Sequence, residues 1–154
     1  MQVVQIAVDN SELMHSVLDV FADAFDEQDT YRNARPSETY FKKLLSGDTF
    51  IALAALDGKA VIGGLAAYEL RKFEQDRSEI YIYDLAVELR HRRRGVATEL
   101  ITSLREIAAA RGAHVIFVQA DYGDDPAINL YEKLGKREEV LHFDIDPMSG
   151  VSGT

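Results

Sequence analysis

The sequence predicts an α/β fold, because apolar segments typical of strands alternate along the chain with segments of helical periodicity. The chain has 154 residues, the length of one ordinary domain. Hydrophobic residues make up 47% and charged residues 28% of it, which excludes a wholly disordered chain. We therefore expect a single domain over residues 1–147 and a disordered Gly/Ser-rich tail over residues 148–154.

The amino-terminal third predicts one strand and two helices. Residues 3–8 alternate weakly and are expected to form the first strand. Asn10 or Ser11 can cap the next helix, since either side-chain oxygen can accept a hydrogen bond from a free N–H of the first turn. That helix is predicted by apolar residues at helical spacing, namely Leu13, Val17, Val20, Phe21 and Phe25. A second helix is expected to open at Pro36-Ser37-Glu38 and to end at Gly47.

Three strands and the longest helix are predicted in the centre of the chain. The strands are expected at residues 49–56, 60–70 and 79–87, and the first two are joined by Asp57-Gly58, which is typical of a hairpin turn. The helix is expected over Gly95–Arg111. Its apolar stripe comprises Ala97, Leu100, Ile101, Leu104, Ile107 and Ala108.

The last third predicts a strand, a helix and a final strand. Residues 114–119 have the pattern of a short buried strand. Pro126 suits the first turn of a helix, because no hydrogen bond is lost there through its missing N–H. We expect that helix to stop at Gly135. Residues 140–145 alternate and predict the last strand.

The net charge of −9 is concentrated at the two ends of the chain. Residues 1–30 carry −7, residues 31–120 carry +3 and residues 121–154 carry −5. A nucleic-acid-binding protein usually has a basic face, and the one basic cluster lies within residues 90–94, so we expect no nucleic-acid partner. The acidic ends favour a cationic partner or substrate, although a solvated acidic surface explains them equally well.

The composition also bears on metal sites and compartment. The chain has no cysteine, which excludes disulfides, thiolate metal ligands and a cysteine nucleophile. No two of its four histidines have a helical metal-binding spacing, so we expect no metal. No run of roughly 18 uncharged apolar residues and no signal peptide are found, so we expect a cytoplasmic protein without a membrane partner.

A strand, an arginine-rich turn and a long helix in succession form the strongest local signal, centred on Arg92–Thr98. The start of a helix presents unpaired N–H groups and partial positive charge. Gly95 allows close backbone approach, and the small Ala97 leaves room beside a ligand. Together with four arginines in residues 90–94, these features predict an anion site suited to a diphosphate. The alternative is a helix that merely follows a solvated basic loop.

Two motifs resemble those of the GCN5-related N-acetyltransferases. Arg92-Arg93-Arg94-Gly95-Val96-Ala97 is similar to the family's acetyl-CoA pyrophosphate motif, Gln/Arg-x-x-Gly-x-Gly/Ala. Ala127 to Gly135 resembles the family's helix beside the thiol end of the cofactor, although Asp124 stands where many members carry Asn. The resemblance implies a central mixed and mostly antiparallel sheet flanked by helices, with acetyl-CoA as cosubstrate and no metal.

The same resemblance implies cofactor contacts in three places: on the strand at Leu85–Val87, at the arginine-rich turn, and on the helix near Tyr131. Backbone N–H groups of Leu85–Val87 are expected to bind the pantetheine arm as an added strand and to polarise the thioester oxygen. Tyr131 is expected to protonate the leaving thiolate, unless it is only a packed core aromatic. The full set of expected cofactor contacts is Leu85, Ala86, Val87, Arg92, Arg93, Arg94, Gly95, Val96, Ala97, Thr98, Asp124, Ala127 and Tyr131.

A closer resemblance is carried by four segments, which are Phe73–Gln75, Ser78–Val87, Gln119–Ala127 and His142–Asp146. They are similar to the aminoglycoside (gentamicin) 3-N-acetyltransferases. This implies acetyl transfer from acetyl-CoA to a 3-amino group of a 2-deoxystreptamine antibiotic, and hence antibiotic resistance. Two alternatives stay open: acetylation of a polyamine or a protein amine, and a non-catalytic acetyl-CoA-binding module.

Acetylation needs a neutral amine, because an ammonium group cannot attack a thioester, and a base must therefore remove a proton. Asp84 is the candidate base, since it lies in an otherwise apolar strand next to the expected cofactor loop. Burial would raise its pKa towards a useful range. The resemblance also aligns Asp84 with the antibiotic's amine. A structural carboxylate paired with an arginine or a backbone N–H is the alternative.

Carboxylates near the carboxyl terminus are candidates for binding the ammonium groups of a polycation. Asp144 and Asp146 are expected on one face of the last strand, since strand side chains repeat every two residues. An exposed strand face and a helix cap at Asp124 are the alternatives. Tyr81, Tyr83 and Tyr122 can line the acceptor cleft or simply pack. The expected substrate contacts are Asp84, Asp121, Tyr122, Asp124, Asp125, Asp144 and Asp146.

An edge strand at the carboxyl end would need cover, and relatives of this kind are often dimers. We therefore expect a homodimer.

Overall fold

The computed structural model describes residues 1–148. The strands are β1 (Gln2–Gln5), β2 (Phe50–Asp57), β3 (Ala60–Arg71), β4 (Ser78–Val87) and β5 (Ala113–Val118). The helices are α1 (Leu13–Phe25), α2 (Glu38–Ser46), α3 (Val96–Arg111) and α4 (Asp125–Leu134). Two 3-10 turns at Val8–Asn10 and Leu89–His91 and a π-helical turn at Asp29–Asn33 complete the set. Most elements lie within two residues of the expected bounds.

The chain forms two units, each described here by itself. The first spans Met1–Gln119 and contains the whole sheet, and the second begins at Ala120 and contains α4. A single domain over residues 1–147 stays a prediction. Except for Met148, the tail expected to be disordered lies outside the described residues.

The sheet has the order β1-β2-β3-β4-β5. The first four strands pair antiparallel, and β4 pairs parallel with β5. This confirms the expected mixed and mostly antiparallel sheet. The parallel pair follows from the connection, because α3 carries the chain back along the sheet between β4 and β5.

Two irregularities in β4 shape the region after Ile82. Pairing of β4 with β5 ends at Ile82 and Val118. On the other edge Ala67 pairs with Ile82 and Ala66 with Asp84, so one extra residue, Tyr83, lies opposite a single step of β3. Such a bulge bends and twists a strand. The second half of β4 is therefore paired on its β3 side and open on its β5 side, within the part of the chain that is described.

Helices of the first unit bury apolar residues against the sheet. Val17 of α1 approaches β3 so closely that a Cβ on Gly64 would lie 2.6 Å from its Cγ1 atom. Glycine at position 64 is thus required for the contact between α1 and β3. Leu100 and Leu104 of α3 are fully buried, as the helical stripe predicts.

The predicted cap of the first helix is wrong. A 3-10 turn precedes α1, so the helix begins only at Leu13 and neither candidate caps it. Asn10 accepts a hydrogen bond from the N–H of Ala7 at 2.6 Å, and the hydroxyl of Ser11 donates to Glu38 at 2.7 Å. The opening of α2 is confirmed, because Ser37 accepts a hydrogen bond from the N–H of Tyr40 at 3.1 Å.

The last strand expected at residues 140–145 is also wrong. Residues 136–148 form neither helix nor strand. Alternation makes a segment suitable for a sheet, but a strand also needs a hydrogen-bonded partner.

No helix among residues 1–148 is both long and apolar enough to cross a membrane.

Candidate active site

The open edge of β4 carries backbone donors. Glu88 donates its N–H to the carbonyl of Ile62 on β3, at 2.7 Å. Backbone groups of successive residues in an antiparallel strand point to alternate sides. The N–H groups of Leu85 and Val87 therefore point away from β3, towards the open edge, whereas that of Ala86 points to β3. Of the three donors expected from Leu85–Val87, the one on Ala86 is thus not available at this edge.

Asp84 lies half-buried on β4, next to the Tyr83 bulge. Its Oδ2 accepts a hydrogen bond from the hydroxyl of Tyr31 at 3.0 Å. Burial raises the pKa of Asp84 to about 6, the Tyr31 hydrogen bond acts against the rise, and the nearby Glu27 carboxylate adds to it. The alternative of a carboxylate paired with an arginine or a backbone N–H does not hold within residues 1–148, where the hydrogen-bond partner of Asp84 is the Tyr31 hydroxyl.

The arginine-rich turn leads directly from β4 into α3. Arg92 donates from Nε to the carbonyl oxygen of Val87 at 3.1 Å, and Arg90 pairs with Glu88 at 2.9 Å. Gly95 is the N-cap of α3 with φ of +80°, a left-handed conformation that favours glycine. Its carbonyl accepts from the N–H of Glu99 at 3.0 Å. The N–H groups of the first helical residues, Val96, Ala97 and Thr98, have no partner within the helix.

The second unit carries the remaining candidates on α4 and the loop before it. Asp124 caps α4 by accepting a hydrogen bond from the N–H of Ala127 at 3.4 Å, so the expected cap exists. Burial raises the pKa of Tyr131 to about 12, and the charge of Asp124 adds to that rise. The Tyr131 hydroxyl therefore stays protonated at neutral pH. The hydroxyl of Tyr122 donates to Glu139.

The argument for Asp144 and Asp146 as a shared strand face is not supported, because their segment is not a strand. Oδ1 of Asp144 accepts a hydrogen bond from Nε2 of His142 at 2.8 Å. Both carboxylates are exposed, as are Asp121 and Asp125.

The tyrosines of β4 differ in their surroundings. Tyr81 stacks on Phe117 of β5, with ring centroids 4.7 Å apart, and its hydroxyl donates to Gln119 at 2.7 Å. Tyr83, at the bulge, is 60% exposed and contacts Tyr68 edge-on. Tyr81 is thus a packing residue, and Tyr83 presents an aromatic surface to solvent beside Asp84.

Comparison with known proteins decides the family. The model of the acetyltransferase (GNAT) family matches residues 14–136. The chain belongs to this family. No curated protein matches it at a significant level.

Several solved structures resemble this GNAT acetyltransferase over nearly its whole length. An aminoglycoside acetyltransferase from an uncultured soil metagenomic sample is 58% identical, with a TM-score of 0.94 over 96% of this chain and 98% of that one. Another, from an uncultured soil metagenomic sample and in complex with sisomicin, is 27% identical, with a TM-score of 0.88 over 96% of each chain. AAC(6')-Iy, in complex with the bisubstrate analog CoA-S-monomethyl-acetylneamine, is 15% identical with a TM-score of 0.76 over 96% and 98%, a likeness in fold.

GNAT acetyltransferases use acetyl-CoA, and the first unit of this acetyltransferase fits that cosubstrate. The pantetheine arm carries amides that pair with a strand edge, and β4 offers an open edge with the donors of Leu85 and Val87. A diphosphate needs N–H donors and positive charge, which the start of α3 and Arg92–Arg94 provide. Within residues 1–148, no group of three or more His, Asp or Glu side chains is arranged to hold a metal ion.

Sequence reasoning missed Tyr31 and Glu27. Both lie between α1 and α2, in a polar stretch without helical or alternating periodicity. The one available signal is that Tyr31 is the sole large apolar side chain of residues 26–35, and such a residue usually packs against something.

Proposed function

We propose that this acetyltransferase transfers the acetyl group of acetyl-CoA to the 3-amino group of a 2-deoxystreptamine aminoglycoside such as gentamicin. The observation that carries the proposal is Asp84, a half-buried carboxylate with a pKa of about 6 beside the open edge of β4. The substrate class is supported by the 58% identical aminoglycoside acetyltransferase and by the relative in complex with sisomicin. The 3-position rests on the sequence resemblance of four segments, Phe73–Gln75, Ser78–Val87, Gln119–Ala127 and His142–Asp146.

Asp84 acts as the base in this proposal. With a pKa of about 6 the carboxylate is mostly ionised at pH 7.5, yet basic enough to take a proton. It removes one proton from the acceptor ammonium, directly or through water, and leaves a neutral amine with a free electron pair. The neutral amine forms a C–N bond to the acetyl carbon of the cosubstrate while the C–S bond breaks. The second proton of that nitrogen leaves to water as the amide forms, and Asp84 returns its proton to solvent.

Other residues hold the reactants and accept the developing charges. Backbone N–H groups of Leu85 and Val87 bind the pantetheine arm and stabilise negative charge on the thioester oxygen. Arg92–Thr98 hold the diphosphate through N–H groups and positive charge. The resemblance assigns the thiol end of the cofactor to Asp124, which caps α4, and to Ala127 and Tyr131 of that helix, with the Tyr131 hydroxyl as proton donor to the departing sulfur.

The acidic residues of the second unit attract the remaining ammonium groups of the substrate. Each exposed carboxylate contributes little alone, because water and salt screen it. Several together favour a polycation over a neutral acceptor. The carboxylates assigned to this role are Asp121, Asp124, Asp125, Asp144 and Asp146, and Tyr122 is assigned to the same substrate site.

The test is release of free thiol from acetyl-CoA with gentamicin, spermidine or a lysine peptide as acceptor. We expect turnover with gentamicin, and mass spectrometry with NMR of the product should place the acetyl group on the 3-amino nitrogen. Acetylation at another amino group would leave an aminoglycoside acetyltransferase but refute the 3-position. Turnover of spermidine alone would refute the antibiotic substrate, and no turnover of any acceptor would favour a binding module.

Asp84→Asn tests the base with a matched control. The amide keeps the shape but cannot take the proton, so the rate should fall on the order of 10²–10⁴-fold while acetyl-CoA binding stays nearly intact. Asp76→Asn changes an exposed carboxylate in the loop between β3 and β4 and should leave the rate unchanged. An Asp84→Asn rate within threefold of the native rate would transfer the role to water or to another carboxylate.

A further inference from the structure

We propose that Tyr31 is a positioning residue for Asp84: its hydroxyl holds Oδ2 of the carboxylate and leaves Oδ1 to receive the proton of the acceptor amine. The inference rests on the proposed function, because it takes Asp84 as the base. The hydrogen bond of 3.0 Å joins residues 53 positions apart in the chain. Within residues 1–148 it is the one hydrogen bond made by the Asp84 side chain.

The Tyr31 ring is fixed by packing against α1. Its centroid lies 5.8 Å from that of Phe21, edge-on, and 5.5 Å from that of Phe25. Phe21 is 2% exposed, so this contact belongs to the core. A hydroxyl carried on a ring held in this way has little freedom, and it can therefore fix the orientation of the carboxylate that it contacts.

The backbone around Tyr31 is held as well. The N–H of Tyr31 donates to the carbonyl of Glu27 at 3.1 Å, and its own carbonyl accepts from Nε of Arg35 at 3.1 Å. Arg35 also reaches Asp19 of α1 at 2.6 Å, and Arg32 reaches the same carboxylate at 3.3 Å. These two arginines, one and four residues after the tyrosine, tie this segment to α1.

The groups around Asp84 show why the Tyr31 hydrogen bond matters for the pKa of this carboxylate. Tyr31 and Glu27 face it from the segment after α1, Tyr68 from β3, and Tyr81 and Tyr83 from β4. Burial and Glu27 both favour the neutral carboxyl group, whereas the Tyr31 hydroxyl favours the carboxylate. Without that hydroxyl, nothing in the described part of the chain opposes the rise of the Asp84 pKa.

Tyr31→Phe keeps the packed ring and removes the hydroxyl. In the profile of kcat/KM for gentamicin against pH, we expect the acidic limb to move up by about one pH unit, the amount expected for one hydrogen bond to a charged group. Because the base works ionised, activity at pH 6 should fall about fivefold, whereas activity at pH 8.5 should stay nearly unchanged. Binding of acetyl-CoA, measured by calorimetry, should not change.

Two comparisons make the result specific. Tyr40→Phe removes an exposed hydroxyl that makes no hydrogen bond within residues 1–148, and its profile should match the native one. In the Asp84→Asn background, Tyr31→Phe should cause no further shift. Because the free substrate titrates identically with every variant, a difference between profiles belongs to the enzyme.

Each result decides a different point. A native acidic limb in Tyr31→Phe, or an equal loss of activity at every pH, overturns the role of Tyr31 while the base stands. An active Asp84→Asn variant removes the base and this inference with it. If Tyr31→Phe does not fold, 3-fluorotyrosine at position 31 supplies a stronger donor that should move the acidic limb down, and an unmoved limb overturns the proposal.

Discussion

Arg92 donates a hydrogen bond from Nε to the carbonyl oxygen of Val87, at 3.1 Å. Val87 ends β4, and Arg92 lies in the turn that enters α3, so this contact ties the open strand edge to the start of the helix. This contact holds together the two parts of the proposed acetyl-CoA site, the strand edge and the start of the helix. Such preorganisation lowers the cost of binding a flexible molecule.

Gly95→Trp should abolish acetyl-CoA binding, because a large side chain at the start of α3 blocks the space that the diphosphate needs. The substitution also costs about 1–2 kcal/mol of stability, since φ at this position is +80°. Gly112→Trp is the matched control, with φ of +77° at the other end of α3 and open space around its Cβ. Calorimetry should show lost binding only in the first variant, and equal affinities would contradict the assignment.

The pH profile of the native enzyme should report Asp84. The base works ionised, and its pKa is about 6, so kcat/KM should be retained above that pH and lost as the pH falls below it.

Glu27→Gln removes a negative charge near Asp84 and should lower the pKa of Asp84, which moves the acidic limb to lower pH. A limb that Glu27→Gln leaves in place would mean that another group sets it.

Features set by local sequence could be predicted, and features set by long-range packing could not. The arginine turn and α3 are predictable, because strand pattern, Gly95 and the apolar stripe all agree locally. Asp84 stands out as a carboxylate among apolar strand residues. Tyr31 is not predictable, since its contact with Asp84 spans 53 positions and depends on how α1 packs on the sheet. The prediction of a strand at residues 140–145 is wrong because alternation is a local pattern and does not specify which strand would pair with it.

A homodimer remains expected, and the sheet gives a reason for it. Strand β5 pairs with β4 on one side, and no strand of residues 1–148 covers its other side. An uncovered strand edge is a template for pairing with another chain. Light scattering at micromolar concentration should give twice the chain mass of 17.2 kDa. The monomer mass under these conditions would refute the expectation.

Substrate recognition by the acidic residues predicts a dependence on salt. If Asp144 and Asp146 hold ammonium groups of gentamicin, the apparent affinity should fall as ionic strength rises. Asp144→Asn and Asp146→Asn should each raise KM about two- to fivefold and lower kcat less, because exposed carboxylates bind substrate and transition state alike. Asp76→Asn, outside this cluster, controls for the loss of one negative charge.

Comparing acceptors separates general attraction from recognition of the antibiotic. Neighbouring ammonium groups repel each other, so the reacting amine of a polycation loses its proton more easily than an isolated alkylamine. This holds for spermidine as well as for gentamicin. Should Asp144→Asn and Asp146→Asn raise KM equally for both, the carboxylates serve attraction alone. A larger increase in KM for gentamicin would mean that Asp144 and Asp146 contact amino groups of the antibiotic's rings. An unchanged KM for both acceptors would mean that these two carboxylates belong to a solvated surface.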